Sequence, residues 1–183
     1  MKTDKSLVTI SKFLSLVLRH QPEVVGMTLD DEGWLDINEL IAAANAHGTP
    51  LSLELLHKVV ATNDKKRFAL SDDGLRIRAN QGHSVSGVDL NLMPQTPPET
   101  LFHGTVAAFI ESIRASGLQK RSRHHVHLSA DESTATKVGA RRGKPIILRV
   151  DAAAMHHNGH RFCRSANGVW LVDAVPVEYL KFP

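Results

Sequence analysis

Cysteine is nearly missing from this 183-residue chain, with Cys163 the single example. That excludes an internal disulfide and a cysteine-rich zinc site, and makes a reducing cytoplasm the expected compartment. Aromatic residues make up only 5% of the chain, so aliphatic side chains must supply most of the core. No apolar run is long enough to span a membrane. The stretch from Met1 to His20 begins basic and turns apolar, yet it does not suit a secretory signal. Lys12 interrupts it, Phe13 to Leu18 is short and contains Ser15, and no small-residue cleavage site follows. It reads as an amphipathic helix. Internal repeats and low-complexity runs are also absent.

What is present is ordinary in bulk and uneven in detail. A composition of 42% hydrophobic and 22% charged residues is that of a globular protein. The length suffices for one domain or two small ones. Net charge is +3, but residues 1–90 carry 10 Lys and Arg against 12 Asp and Glu, and residues 91–183 carry 12 against 7. The halves are therefore −2 and +5. The plain reading is scatter over a solvated surface; the sharper one is that the second half handles anions such as a pyrophosphate. Nucleic-acid binding by the first half must rest on local clusters.

The first half reads as helix, short strand, two helices and a hairpin. Leu7, Ile10, Phe13, Leu14, Val17 and Leu18 share one helical face, which Pro22 ends. Asp36 and Glu39 form a capping-box-like start for a helix from Ile37 to His47, closed by Gly48. Ser52 caps the next, through Val60. Arg67–Leu70 and Leu75–Arg78 flank the turn Asp72-Asp73-Gly74. Helices followed by a hairpin suggest a winged helix, a common plan that says little alone about function. Asn91 to Thr100, with Pro94, Pro97 and Pro98, reads as a linker.

The second half mixes short strands with two helices, Val106 to Ser116 ended by Gly117, and Asp131 to Arg141. Strands are expected at Leu101-Phe102, around His125-Val126-His127-Leu128-Ser129, and at 146–150, 162–164, 169–172 and 177–180. Asn167-Gly168 is a hairpin turn between two of these.

Each chemically suggestive residue has a plain alternative. Arg19-His20 ends the first helix, where cations complement the dipole. Lys65-Lys66-Arg67 fits a solvated turn, and Gln81-Gly82-His83-Ser84 a polar loop. Together they put cations and histidines near the ends of first-half elements, where they can face one cleft. His103-Gly104-Thr105 closes a strand. Gly104 serves a turn or lets a ligand approach the backbone, while Thr105 caps the following helix or joins His103 in bonding a ribose or amide. His127 and Ser129 share a strand face. His124, His125 and His127 do not make a metal site, because no acidic or cysteine ligand lies nearby in sequence. Gly139-Ala140-Arg141-Arg142-Gly143 is a helix C-cap, or brings the forked guanidinium of Arg141 to a phosphate. Strands with polar tips and a glycine, backed by basic residues, resemble the NAD pocket of ADP-ribosyltransferases.

Across nearly its whole length the chain resembles the RNA 2′-phosphotransferases (tRNA 2′-phosphotransferases, KptA-type). The matching stretches are Ser11–Ser15 with Leu18-Arg19-His20, Gly33-Trp34, Asp64–Phe68, Gln81–Ser84, His103–Thr105, His127–Ser129, Lys137–Arg141 and Asn167–Leu171. The resemblance implies an α+β protein with an N-terminal winged-helix lobe for RNA, residues 1–90, and a C-terminal ADP-ribosyltransferase-like lobe for NAD, residues 101–183. It implies an essential set of one His and three Arg, falling on Arg19, His20, Arg67 and Arg141. Arg141 is chosen over Arg142 by register alone. His103, Gly104, Thr105, His127, Ser129 and Gly139 are then expected at NAD, and Lys66, Gln81, His83 and Ser84 at the RNA phosphate. Related protein-modifying transferases rely on a late glutamate; only Glu178 lies there, and it is not assigned that role.

The implied reaction removes an internal RNA 2′-phosphate in two steps, with NAD consumed as co-substrate and no metal. The products are 2′-hydroxyl RNA, nicotinamide and ADP-ribose 1″,2″-cyclic phosphate. The expected partners are NAD and a tRNA-like RNA bearing a 2′-phosphate, met by a cytoplasmic monomer with no membrane. Two alternatives stay open. One is ADP-ribosyl transfer to nucleic-acid ends or protein. The other is a winged-helix DNA-binding regulator, although residues 53–60 offer only His57 and Lys58 as basic groups.

Overall fold

The computed structural model describes residues 2–183, with side chains from residue 5 onward. The chain divides into two compact units, one ending at Asn91 and the other running Leu92–Pro183. Six α-helices and several small sheets occur among the described residues.

In the first unit, α1 spans Lys2–Arg19. Its face of Ile10, Leu14, Val17 and Leu18 is buried, as the helical spacing requires. Pro22 does more than stop this helix: it opens a 3-10 turn, Pro22–Val25, closed by Gly26 in the left-handed region. After β1 (Leu35–Asp36), α2 (Ile37–Ala46) starts where Asp36 Oδ1 accepts from the Glu39 N–H at 3.0 Å. In α3 (Leu53–Thr62) Ser52 Oγ plays the same part, accepting from Leu55 N–H at 3.1 Å. The hairpin is β2 (Phe68–Leu70) and β3 (Arg76–Ala79), and β1 pairs with the free side of β3 to give the order β1-β3-β2, all antiparallel. Leu35, Phe68, Ile77 and Ala79 face the core. Arg76 and Arg78 alternate with them on the other face, where Arg76 is exposed and Arg78 is partly buried with its Nε sealed from solvent.

The second unit begins with residues expected to be a linker. There Gln95 N–H donates to the Phe162 carbonyl at 2.8 Å and Pro94 bridges to Cys163. One sheet has the order β11-β7-β4, from Leu180–Lys181, Ile146–Asp151 and Thr100–Thr105. A second, β6-β9-β8, comes from Val126–Leu128, Trp170–Val172 and Cys163–Arg164. Phe102 and Ser129 join the two through reciprocal N–H···O bonds of 2.9 and 2.8 Å. A third pair comprises β5 (Leu118–Gln119) and β10 (Ala174–Val175). The helices are α4 (Ala107–Ser116), α5 (Glu132–Gly139) and α6 (Ala152–His157).

Several expectations need correction. The N-cap position of α4 is Val106, with no side-chain cap, and Thr105 is the buried last residue of β4. The helix expected to reach Arg141 ends at Gly139 and tightens into a 3-10 turn, Ala140–Arg142. Residues 177–180 are mainly a 3-10 turn, Val177–Tyr179, because Pro176 precedes them and the strand starts only at Leu180. Helix α6 was not foreseen; Asp151 starts it, its carboxylate accepting from Ala154 N–H at 3.1 Å.

Helix α5 lies directly on β4. A Cβ on Gly104 would sit 1.9 Å from the Ala135 carbonyl oxygen, and one on Gly139 would sit 3.1 Å from the Thr105 carbonyl oxygen. Two glycines thus let helix and strand backbones touch.

Candidate functional site

In the first unit one loop, residues 80–84, organises the candidate residues. Asn80 N–H donates to the Arg67 carbonyl at 2.8 Å, and Asn80 Nδ2 donates to the Lys66 carbonyl at 2.6 Å. Lys66 holds a left-handed φ of 42°, a conformation costly for a side-chain-bearing residue and held here by these bonds. From the other side, Asn63 Oδ1 accepts from Lys65 N–H at 3.2 Å and Arg67 N–H at 3.4 Å, while its Nδ2 donates to Ser11 Oγ on α1 at 3.2 Å. At the far end of the loop, Ser84 N–H donates to the Arg19 carbonyl, and Ser84 Oγ lies 2.8 Å from His20 Nδ1. Arg19, His20, Lys66, Arg67 and Ser84 are therefore tied to one short segment.

Gln81 and His83 sit deeper than a polar loop would suggest. His83 is only 2% exposed, and a Cβ on Gly33 would fall 2.9 Å from its Nε2. His83 thus underlies the Gly33-Trp34 turn rather than standing out in solvent. Gln81 is buried and its Oε1 has no hydrogen-bond partner among the described residues. An acceptor left so is costly unless a donor arrives from outside the protein. For a phosphate the useful end of this amide is its Nε2 donor. Asn63 and Asn80 are the positioning residues that sequence reasoning missed. Their signal was faint: asparagines flanking a basic turn.

In the second unit the candidates gather around β4 and β6. His103 Nδ1 lies 3.1 Å from the His127 carbonyl. A carbonyl only accepts, so Nδ1 carries the proton and Nε2 presents a lone pair. Burial lowers the His103 pKa below its ordinary value of 6.5, partly opposed by that hydrogen bond. The ring is therefore a neutral acceptor, suited to a ribose hydroxyl. Ser129 is bound through its backbone to Phe102, and Gly104 and Gly139 are occupied by helix packing.

Arginines dominate the other side of this group. Arg123 Nη1 lies 3.4 Å from His127 Nδ1. Its pKa is lowered, first by partial desolvation, then by the charges of Arg142 and Arg141. Arg121 and Arg142 lie over the Phe109 ring at 5.7 and 5.6 Å from its centroid. None of the four is ion-paired to a carboxylate among the described residues. Four cations brought together without an acid repel one another, and a multivalent anion relieves that cost. The donor set fits the pyrophosphate of a dinucleotide. Only Arg141 of these was singled out from the sequence; Arg121-x-Arg123 just before the His127 strand was the available signal. Among the described residues no group of three or more His, Cys, Asp or Glu is placed to hold a metal ion, and no helix is long and apolar enough to cross a membrane.

An arginine–histidine pair beside a basic loop, and an arginine cluster that reaches His127, mark a protein equipped for polyanions. The sequence profile described as RNA 2′-phosphotransferase, Tpt1 / KptA family matches residues 5–174. A probable RNA 2′-phosphotransferase of Rhodopirellula baltica is 69% identical over the full length of both chains. One of Streptomyces coelicolor is 59% identical over 96% of this chain and 95% of its own. One of Hahella chejuensis is 58% identical over 97% and 95%. The chain belongs to the RNA 2′-phosphotransferase family and is an enzyme of the transferase class.

Proposed function

We propose that this enzyme removes an internal 2′-phosphate from RNA at the expense of NAD. The observation that carries the reading is the pairing of chemistries: a phosphate-type donor set at Arg19, His20 and Arg67 in one unit, and an acid-free arginine cluster with neutral His103 in the other. The first unit is then a winged-helix lobe for RNA, a reading supported by its helices followed by an antiparallel hairpin with β1 added. The second is an ADP-ribosyltransferase-like lobe, supported by two small sheets meeting at Phe102 and Ser129.

In the first step a 2′-phosphate oxygen attacks the anomeric carbon of the nicotinamide ribose. The bond to nicotinamide breaks and its electron pair leaves with the ring nitrogen. In the second, the ribose 2″-hydroxyl attacks phosphorus, and the RNA 2′-oxygen leaves and takes up a proton. The products are 2′-hydroxyl RNA and ADP-ribose 1″,2″-cyclic phosphate.

This chain's residues suit those demands. Arg67 supplies a forked donor for a phosphate dianion and for charge gathering on its oxygens, Arg19 adds a further cation in the same unit, and Arg141 contributes within the second unit's arginine cluster. Ser84 holds His20 by Nδ1, so Nε2 is the atom that donates to the phosphate or accepts the hydroxyl proton. Arg121, Arg123 and Arg142 hold the pyrophosphate, and His103 Nε2 accepts from a ribose hydroxyl. A tethered phosphate nucleophile needs alignment more than a strong base.

The test is a short RNA with one internal 2′-phosphate, incubated with and without NAD. Conversion to a 2′-hydroxyl that requires NAD and yields the cyclic phosphate supports the reading. Nicotinamide release with the 2′-phosphate retained overturns it in favour of ADP-ribosyl transfer to another acceptor.

A further inference from the structure

The outer face of the β1-β3-β2 sheet carries a feature that the phosphate chemistry does not use. Arg78 lies on the Trp34 ring, 4.5 Å from its centroid, and Arg76 approaches the same ring at 5.3 Å. The register explains the alignment. Ala69 is opposite Arg78 and Asp36 opposite Arg76, and residues two apart in a strand share a face. Trp34, two before Asp36, and Arg67, two before Ala69, therefore belong to the face of Arg76 and Arg78. One side of the sheet thus runs from Arg67 through Arg78 to Trp34 and Arg76.

Beside Trp34 and Arg76 opens a cleft of about 440 Å³, floored by Leu29 and Leu35 and rimmed by Asp36 and Glu39. The carboxylates decide what kind of group it takes. Asp30 Oδ1 accepts from Glu32 N–H and Trp34 N–H at 3.0 and 2.8 Å, building the turn that presents the indole, and its Oδ2 makes a half-exposed ion pair with Arg76 at 3.7 Å. Asp36 caps α2. Acids around the opening repel a phosphate but accept hydrogen bonds from amino groups on a base edge. The indole offers a stacking surface and the half-exposed Arg76 guanidinium a second flat group.

We propose that this cleft binds the nucleobase of a nucleotide flanking the 2′-phosphate, stacked on Trp34. Arg78 braces the indole from the same sheet face, and that face leads on to Arg67. The proposal rests on Arg67 belonging to the RNA phosphate site. Nothing in it depends on NAD.

The test is equilibrium binding without NAD, by anisotropy of labelled 2′-phosphorylated oligonucleotides. Three are compared: an intact one, one abasic at the 5′ neighbour and one abasic at the 3′ neighbour. One abasic position should weaken binding to the unaltered protein by roughly 5- to 150-fold, the usual range for one stacked base. Trp34→Ala should weaken the intact RNA to a similar degree and leave that abasic RNA unchanged, while Trp34→Phe restores most of the affinity. Equal affinity for all three RNAs overturns the proposal, whatever the stability of the variants. An equal loss on intact and abasic RNA in Trp34→Ala also overturns it, since that marks a structural role. If the RNA binds but is not converted with NAD, the proposed function fails and the base cleft stands. If Arg67→Ala leaves binding unchanged, the phosphate site itself is misassigned and the proposal falls with it.

Discussion

The imidazole Nδ1 of His20 and the hydroxyl Oγ of Ser84 lie 2.8 Å apart, joined across 64 positions of sequence. Ser84 also donates its backbone N–H to the carbonyl of Arg19. One serine thus sets both the place where α1 ends and the orientation of the histidine that follows. Ser84→Ala is expected to lower kcat about fivefold, the worth of roughly 1 kcal/mol for one hydrogen bond, with little change in Tm because both residues are exposed. Steady-state rates on 2′-phosphorylated RNA with saturating NAD check this.

His20→Ala and Arg67→Ala should each reduce turnover by roughly 100-fold or more, as losses of transition-state donors do. Arg19→Ala should do the same, but with a lower Tm. Its Nε and Nη2 are sealed from solvent, so the side chain fills interior space that alanine leaves empty. The sealed guanidinium nitrogens of Arg19 separate it from the other two. Thermal melts beside the kinetics distinguish them. Variants blocked only in the second step should accumulate ADP-ribosylated RNA, seen as a slower band.

Arg123→Ala should raise the KM for NAD roughly tenfold or more, the order expected for a charge-assisted hydrogen bond, while leaving RNA affinity measured without NAD unchanged. Loss of RNA affinity instead would place Arg123 on the other substrate.

Gly104→Ala should unfold or strongly destabilise the second unit, by about 3 kcal/mol or more. The new Cβ would meet the Ala135 carbonyl oxygen, a backbone atom with no room to move. The measurement is unfolding by denaturant. A stable, active variant would show that α5 can lift from β4.

His103 gives a pH dependence of definite sign. Its pKa is lowered in the folded protein by burial, so near and below the unfolded value of about 6.5 the unfolded chain binds more protons. The stability it contributes is complete above that value and is lost as pH falls through the lowered folded value. Unfolding free energy should therefore decline on acidification below about pH 6.5, and His103→Asn should remove part of that slope. Affinity for NAD should fall in the same window as Nε2 is protonated and ceases to accept.

Much of the fold was legible because local chemistry speaks for itself. Asp36 and Ser52 begin helices by capping, the 3.6-residue spacing of Ile10, Leu14, Val17 and Leu18 marks the buried face of α1, and Asn167-Gly168 turns a hairpin, with Gly168 at a φ of 84°. The misses came where neighbours overrule propensity. Thr105 is a good cap by type but is pinned in β4 opposite Ile146, so the backbone turns into α4 one residue later. Residues 177–180 look like a strand, yet Pro176 and the tie from Tyr179 N–H to its carbonyl wind them into a 3-10 turn.

The candidate site divides the same way. The sequence alone was enough for the family, because short ordered motifs such as Arg19-His20 and His103-Gly104-Thr105 carry chemistry that few residue types supply. It was also enough to locate positive charge in the second half. It could not say that Gly104 and Gly139 are needed for a helix to touch a strand, that His83 supports Gly33 from inside, or that Arg121, Arg123, Arg141 and Arg142 converge. Those are facts of three-dimensional proximity. A glycine's purpose depends on what fills the space beside it, and a cation's on whether a carboxylate or another cation stands near; both are decided only when distant segments pack.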